Sequence, residues 1–226
     1  MPDIIGDSIF LMDNGEIPSA YQKVEYIYST QTSRGNGPTI DTGFSPSPDM
    51  KIECGYYATG GTGIAWGTLF GGSYGDAAKI LKVLRKDQTN ALLGQVVNEY
   101  TDQPAEAPDG FSAGNHVAIL DALNAILTLD GISTELSMEP LEETPYHICL
   151  LAHNVNASGK GYWFINPAGP TIRIKYLKIF KNNHIVQYLV ACKRKSDNSV
   201  GMYDRATNTF FRNPGSGSLT AGANIN

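Results

Sequence analysis

Between Thr171 and Phe180 the chain alternates Ile172, Ile174 and Tyr176 with Arg173 and Lys175, then carries Leu177, Ile179 and Phe180 in the other phase. A period of two sends alternate side chains to opposite faces of a strand, and the change of phase is expected where a strand becomes covered on both faces. An Asn182-Asn183 turn and the apolar run through Ala191 follow, then Val200–Tyr203, the Phe210-Phe211 pair, and Gly215-Ser216-Gly217, which is expected to release the chain. No helical period fits this block. It predicts successive hairpins from Thr171 to Gly222.

The same grammar extends upstream. Val24–Tyr28 is β-branched and aromatic and predicts a strand, a polar loop follows, and Thr39–Gly43 predicts another. Lys51–Ala58 alternates Ile52, Cys54 and Tyr56 against Lys51, Glu53 and Gly55. Further strands are expected at Ile64–Phe70, Lys79–Arg85, Ala91–Asn98 and His116–Leu120, with Gln103–Gly110 a Pro-rich loop. Asp76–Leu84 shows some helical spacing but fits a strand equally well. Ala125–Leu129 and Ile132–Leu136 flank Asp130-Gly131, a strong hairpin signal. Tyr146–Ala152 and Tyr162–Ile165 complete the set. About a dozen short strands with turns every 8–12 residues predict an all-β, two-sheet antiparallel β-sandwich.

A chain of 226 residues can bury one large core, and its 24 glycines and 12 prolines are spread rather than gathered into a linker. One sandwich domain is therefore expected over 21–226, preceded by a leader at 1–20. Net charge is −5, which supplies no basic field for nucleic acid or anionic membrane. Lys193, Arg194 and Lys195 read as a solvated turn. Cys54, Cys149 and Cys192 lie in apolar runs and read as buried free thiols. The acidic N-terminus lacks a basic n-region, so no secretory signal is expected, and no apolar run approaches the roughly 20 residues of a membrane span.

Tyr21–Ile27 followed by Ser29-Thr30 and Ile40–Gly43, then Leu69–Gly72, Leu127–Gly131, Leu150–Asn154, Ile174–Phe180, Val200–Asp204, Phe210-Phe211 and Gly215–Gly217, read together, resemble one family. It is the concanavalin A/laminin-G-like jelly-roll family found in tailed-phage virion proteins and gut bacterial surface proteins. The resemblance covers roughly 21–222. The chain departs from the family pattern at Gln31–Thr39, an insertion with no role to transfer. The resemblance implies a concanavalin A-like jelly roll and a virion context.

Catalysis finds little footing. Glycosidases on such a sandwich need two carboxyls about 5 Å apart, usually on one strand, and no Glu-x-Asp-x-x-Glu run occurs. Glu139, Glu142 and Glu143 flank Pro140 in an acidic turn. There is no Gly-x-Ser-x-Gly elbow, and His116, His147 and His184 read as structural or surface residues. Gly60–Gly63 and Gly71–Gly75 lack the Lys-Ser/Thr ending of a phosphate loop. No metal site or cofactor is predicted. Structural calcium is conceivable on this fold, yet Asp109, Asp121 and Asp130 are isolated.

Sugar binding needs an aromatic face and a few amide or charged groups. The candidate carbohydrate site is His153, Asn154, Asn156, Tyr162 and Trp163, with Tyr74 from the loop near Gly71; a core role remains the simpler reading of Trp66 and Trp163. In the leader, Ile4, Ile5, Ile9, Phe10, Leu11 and Met12 are candidate contacts to sister chains or other virion proteins, or else form a covering strand. The expectation is a non-enzymatic virion protein of the phage particle surface, a head- or tail-associated fibre or decoration module, homo-oligomeric, attaching to host-surface glycans. A purely structural virion component and a bacterial surface carbohydrate-binding protein are the alternatives, with a glycoside hydrolase last.

Overall fold

The named elements among the described residues are all strands. The computed structural model describes residues 16–30, 35–60, 67–74, 78–85, 89–99, 105–136, 146–152, 163–164 and 171–225, with the backbone alone at 35–36, 73–74, 78–80, 82, 84–85, 97–99 and 163–164. In chain order the strands are β1 Tyr21–Lys23, β2 Ile27–Ser29, β3 Gly35–Asn36, β4 Ile40–Asp41, β5 Met50–Ala58, β6 Thr68–Tyr74, β7 Ala78–Arg85, β8 Leu92–Glu99 and β9 Ala105–Ala107. They continue as β10 Gly114–Asp121, β11 Ile126–Leu129, β12 Ile132–Glu135, β13 Cys149–Leu150, β14 Trp163–Phe164, β15 Ile172–Lys181, β16 His184–Arg194, β17 Val200–Asp204, β18 Thr209–Arg212 and β19 Leu219–Ala221.

All pairings among the described residues are antiparallel. The large sheet runs β12-β11-β10-β5-β15-β16-β17-β18, with β1 added to β16, and β2 bridging β15 and β19. A second sheet runs β4-β13-β6-β7-β8-β9, and β14 pairs with β3 in a small ribbon.

Apolar alternation assigns one face of the large sheet to the core. Ile52, Cys54 and Tyr56 of β5, Leu120 of β10, and Ile172, Ile174, Leu177 and Ile179 of β15 share one buried cluster with Phe70, Leu81, Val83, Leu92 and Val96 of the second sheet. The space a β-carbon would need at Gly94 of β8 is bounded by Leu127 and Leu120 of the other sheet at 3.2 and 3.3 Å. Both hairpin turns foreseen from dipeptides form as expected. Asp130 and Gly131 have φ of 50° and 87°, and Asn182 and Asn183 have 47° and 63°, the paired positive angles that match the right-handed twist of the flanking strands.

Several expectations need correction. Val24–Tyr28 is not one strand: β1 ends at Lys23, Val24 makes an isolated bridge to Asn224, and β2 begins at Ile27. The chain changes partner there, which interrupts the ladder. The Gln103–Gly110 loop contains β9, whose Ala105 and Ala107 pack into the core against an exposed Glu106. Gly215–Gly217 does not release the chain, because β19 returns to pair Leu219, Thr220 and Ala221 with Ser29, Tyr28 and Ile27. Asp76–Leu84, ambiguous in sequence, is strand β7 from Ala78 onward. Lys193 and Arg194 end β16, and Lys195 opens the turn that follows. The three cysteines are buried and free.

Candidate functional site

The second phase of the large sheet, facing away from the shared core, carries tyrosines and cations. On β15 the buried phase is Ile172, Ile174, Leu177 and Ile179, leaving Arg173, Tyr176, Lys178 and Phe180 half-buried on the other face. The register explains the phase change seen in sequence: Ile174 pairs with Tyr56 and Tyr176 with Gly55, so Lys175 is the extra residue of a bulge. The phase shift is thus not a strand covered on both faces but one inserted residue.

Near this bulge β15 also changes neighbour. Its N-terminal part pairs with β2 at Ile174↔Ile27, and its remainder pairs with β16 from Tyr176↔Val190 onward. The end of β16 that β15 leaves free is taken by β1, at Tyr21↔Arg194 and Lys23↔Cys192. The β1–β2 segment is therefore wedged where β15 and β16 part. A groove of about 660 Å³ opens there, with Lys23, Glu25 and Tyr26 from the wedge, Tyr57, Arg173, Lys175 and Tyr176 from β5 and β15, and Tyr188 from β16 among its walls.

Its aromatic walls are held in place. The Arg173 guanidinium lies 4.8 Å from the Tyr26 ring centre, 5.5 Å from that of Tyr57 and 5.7 Å from that of Tyr28, and donates to Tyr26 Oη at 2.8 Å. Cation–π attraction and the hydrogen bond together fix its plane. Tyr176 lies across the backbone of Gly55, where any β-carbon would overlap its ring. Its hydroxyl donates to Glu53 at 2.9 Å, and Lys178 donates to the same carboxylate oxygen at 3.0 Å. Burial, then the Glu53 charge, push the Tyr176 hydroxyl well above its ordinary pKa, so it stays a donor at neutral pH. Lys178 sits 5.3 Å from the ring centres of both Tyr176 and Tyr188.

Beside the groove a small second cluster of Val190, Cys192 and Tyr203 is covered by Ile17, Tyr21 and Phe210. Tyr21 packs on Tyr203 and Phe210 at 4.8 and 5.3 Å between ring centres.

Of the candidate carbohydrate residues, His153, Asn154, Asn156 and Tyr162 lie outside the described residues. Trp163 and Tyr74 are described in backbone only: Trp163 begins β14 opposite Asn36, so the Gln31–Thr39 insertion and the segment carrying Trp163 are joined by a ladder, and Tyr74 ends β6 opposite Ala78. The leader contacts Ile4, Ile5, Ile9, Phe10, Leu11 and Met12 also lie outside. His116 and His147 are each bonded to a carboxylate, Asp130 at 2.8 Å and Asp41 at 2.9 Å. Among the described residues no three His, Cys, Asp or Glu side chains converge as a metal site.

The groove was missed because its residues come from five separate strands and the link between β1 and β2, and occupy phases that read as solvent face. The available signal was the recurrence of tyrosine and arginine in that outward phase, at Tyr26, Tyr28, Tyr57, Arg173, Tyr176 and Tyr188. In comparisons with known proteins, no family model and no curated protein matches the chain.

Proposed function

We infer that this protein is a binding module of lectin type, its two main sheets forming an antiparallel sandwich of the concanavalin A-like jelly-roll kind. The particular role is a non-enzymatic virion component that attaches a phage particle to host-surface glycans. The sandwich is supported by the apolar cluster shared between the sheets and by the approach of Leu120 and Leu127 to Gly94. The virion setting rests on the sequence resemblance alone.

The tyrosine-walled groove carries the binding assignment. A pyranose presents an apolar face that stacks on an aromatic ring and an equatorial set of hydroxyls that need fixed donors and acceptors. Tyr26, Tyr57, Tyr176 and Tyr188 supply rings, while Asn115, Glu25, Lys23 and Lys175 supply polar groups along the same walls. Glu25 is the single carboxylate among those lining residues, whereas glycoside hydrolysis by the usual route needs two.

Glycan-array screening of the whole chain, followed by titration calorimetry of the hits, tests the reading. Tyr57→Ala and Tyr188→Ala are expected to weaken binding roughly tenfold each, about 1.4 kcal/mol. Unchanged affinity in both, with loss in a His153→Ala, Trp163→Ala variant, would move the site to the loop. Attachment to the particle is tested by removing residues 1–15, leaving Ile17 and the Ala20 carbonyl that accepts from Lys195 N. Retained attachment would refute anchoring through the leader.

A further inference from the structure

The groove has a charge of its own that the chain as a whole does not share. Lys23, Arg173 and Lys175 face one anion, Glu25, on a protein whose net charge is −5. We propose that the groove selects an acidic saccharide, its uronate- or sialate-type carboxylate held by the Lys23, Arg173 and Lys175 cations while sugar rings lie on the tyrosines. The proposal rests on the lectin reading above and names its ligand class.

Three observations carry it. Lys23 and Lys175 have no carboxylate within ion-pairing distance among the described residues, whereas Lys178, on the same face of the same strand, is neutralised by Glu53 at 3.0 Å. The fold answers one lysine and leaves its neighbour open. Lys175 is also the inserted residue of the β15 bulge, at the point where β15 exchanges β2 for β16. Bulges re-aim a side chain locally, and this one adds a cation to the groove wall. Arg173 is already fixed against three rings and hydrogen-bonded to Tyr26, so little of its freedom remains to be lost on binding.

The same features discriminate against other anions. A volume of about 660 Å³ lies in the range of small-ligand sites, not of a track along a polymer backbone. The net negative charge of the protein opposes a nucleic-acid polyanion at longer range. An acidic peptide binding as an added strand needs an open sheet edge, and β5 and β15 at the groove are paired on both sides.

Titration calorimetry on the whole chain tests this with sialyllactose and a trigalacturonate, their neutral counterparts lactose and carboxyl-reduced trigalacturonate, and hexaglutamate. Binding of an acidic sugar, with its neutral counterpart weaker by roughly tenfold or more as for one lost charge-assisted hydrogen bond, supports the proposal. Lys175→Glu and, separately, Lys23→Glu are expected to reproduce that loss with an unchanged unfolding midpoint, since neither side chain has an ion pair among the described residues. Equal affinity for acidic and neutral sugars, insensitive to both substitutions, overturns the charge selection and leaves the lectin reading intact. Hexaglutamate bound as tightly as the acidic sugars overturns the saccharide class. No binding of any sugar here or on the array overturns both readings together.

Discussion

Replacing Gly55 by alanine adds one methyl group in the centre of the large sheet, and its cost follows from the ring that occupies that space. The new β-carbon would overlap Tyr176 at Cε1, with Cδ1 and Cζ at 2.7 Å, so the ring is expected to lift off the strand. Lifting breaks the hydrogen bond to Glu53 and disturbs the edge contact with Tyr188, whose ring centre is 6.3 Å away. Overpacking of this kind costs about 1–3 kcal/mol, and a lost hydrogen bond adds about 1 kcal/mol, giving roughly 2–4 kcal/mol. Without the ring the sign reverses. In a Tyr176→Ala background the site is open, and alanine is favoured over glycine within a strand by about 0.5–1 kcal/mol. Urea unfolding of the four proteins in this cycle, followed by tryptophan fluorescence, measures the coupling directly. If Gly55→Ala costs as much in the Tyr176→Ala protein as in the parent, the ring is not what excludes the methyl and the reasoning fails.

Gly131 and Gly201 separate two reasons for a glycine. Gly131→Ala meets no atom within 4 Å but keeps φ at 87°, so a cost of about 1–2 kcal/mol from backbone conformation alone is expected in equilibrium unfolding. Gly201→Ala collides with the Phe211 carbonyl and the Phe210 ring, and is expected to unfold at a clearly lower denaturant midpoint than Gly131→Ala. Asp204 is fully buried and accepts from Tyr188 N at 2.9 Å, Ala206 N at 3.0 Å and Thr207 Oγ1 at 2.7 Å. Asp204→Ala leaves those donors unanswered and is expected to cost on the order of 3 kcal/mol, with hydrogen exchange rising first in the β17–β18 turn. Burial pushes the Cys192 thiol from 9.0 up to about 12. Thiol labelling of the native protein is therefore expected to stay slow through pH 9. Because the unfolded thiol ionises first, the stability this group confers is complete below about pH 9 and is lost as pH rises towards 12. A native thiol that labels rapidly at pH 8 would contradict this burial.

Much of the strand inventory was legible because strand alternation is local. Lys51–Ala58 and Ala125–Leu136 carry their phase and their turn within a few residues, and β5, β11 and β12 form close to where the pattern places them. Partner choice is not local. Nothing in Val24–Tyr28 reveals that the segment passes from β16 to β15, which is why the expected strand is divided in two. The same blindness hid the site: Arg173 and Lys175 read as the solvent phase of a strand, and only the register shows that Lys175 is a bulge beside a gap between strands. Leu219–Ala221 was overlooked because three residues after a glycine-rich turn are too few to display a period, although a ladder to β2 suffices to form them.

The wedge between β15 and β16 has a consequence for the order in which the protein can be made. Lys23 lies opposite Cys192 and Ile27 opposite both Ile174 and Ala221, so the early strands have no ladder to join until residues 171–221 have been synthesised. Pairings this distant in sequence are slow to form, since a long loop must close before any contact rewards it. On a ribosome the segment Tyr21–Ser29 waits for these partners until residues 171–221 have emerged, and its closure against them completes the groove in the same step that joins the ladders.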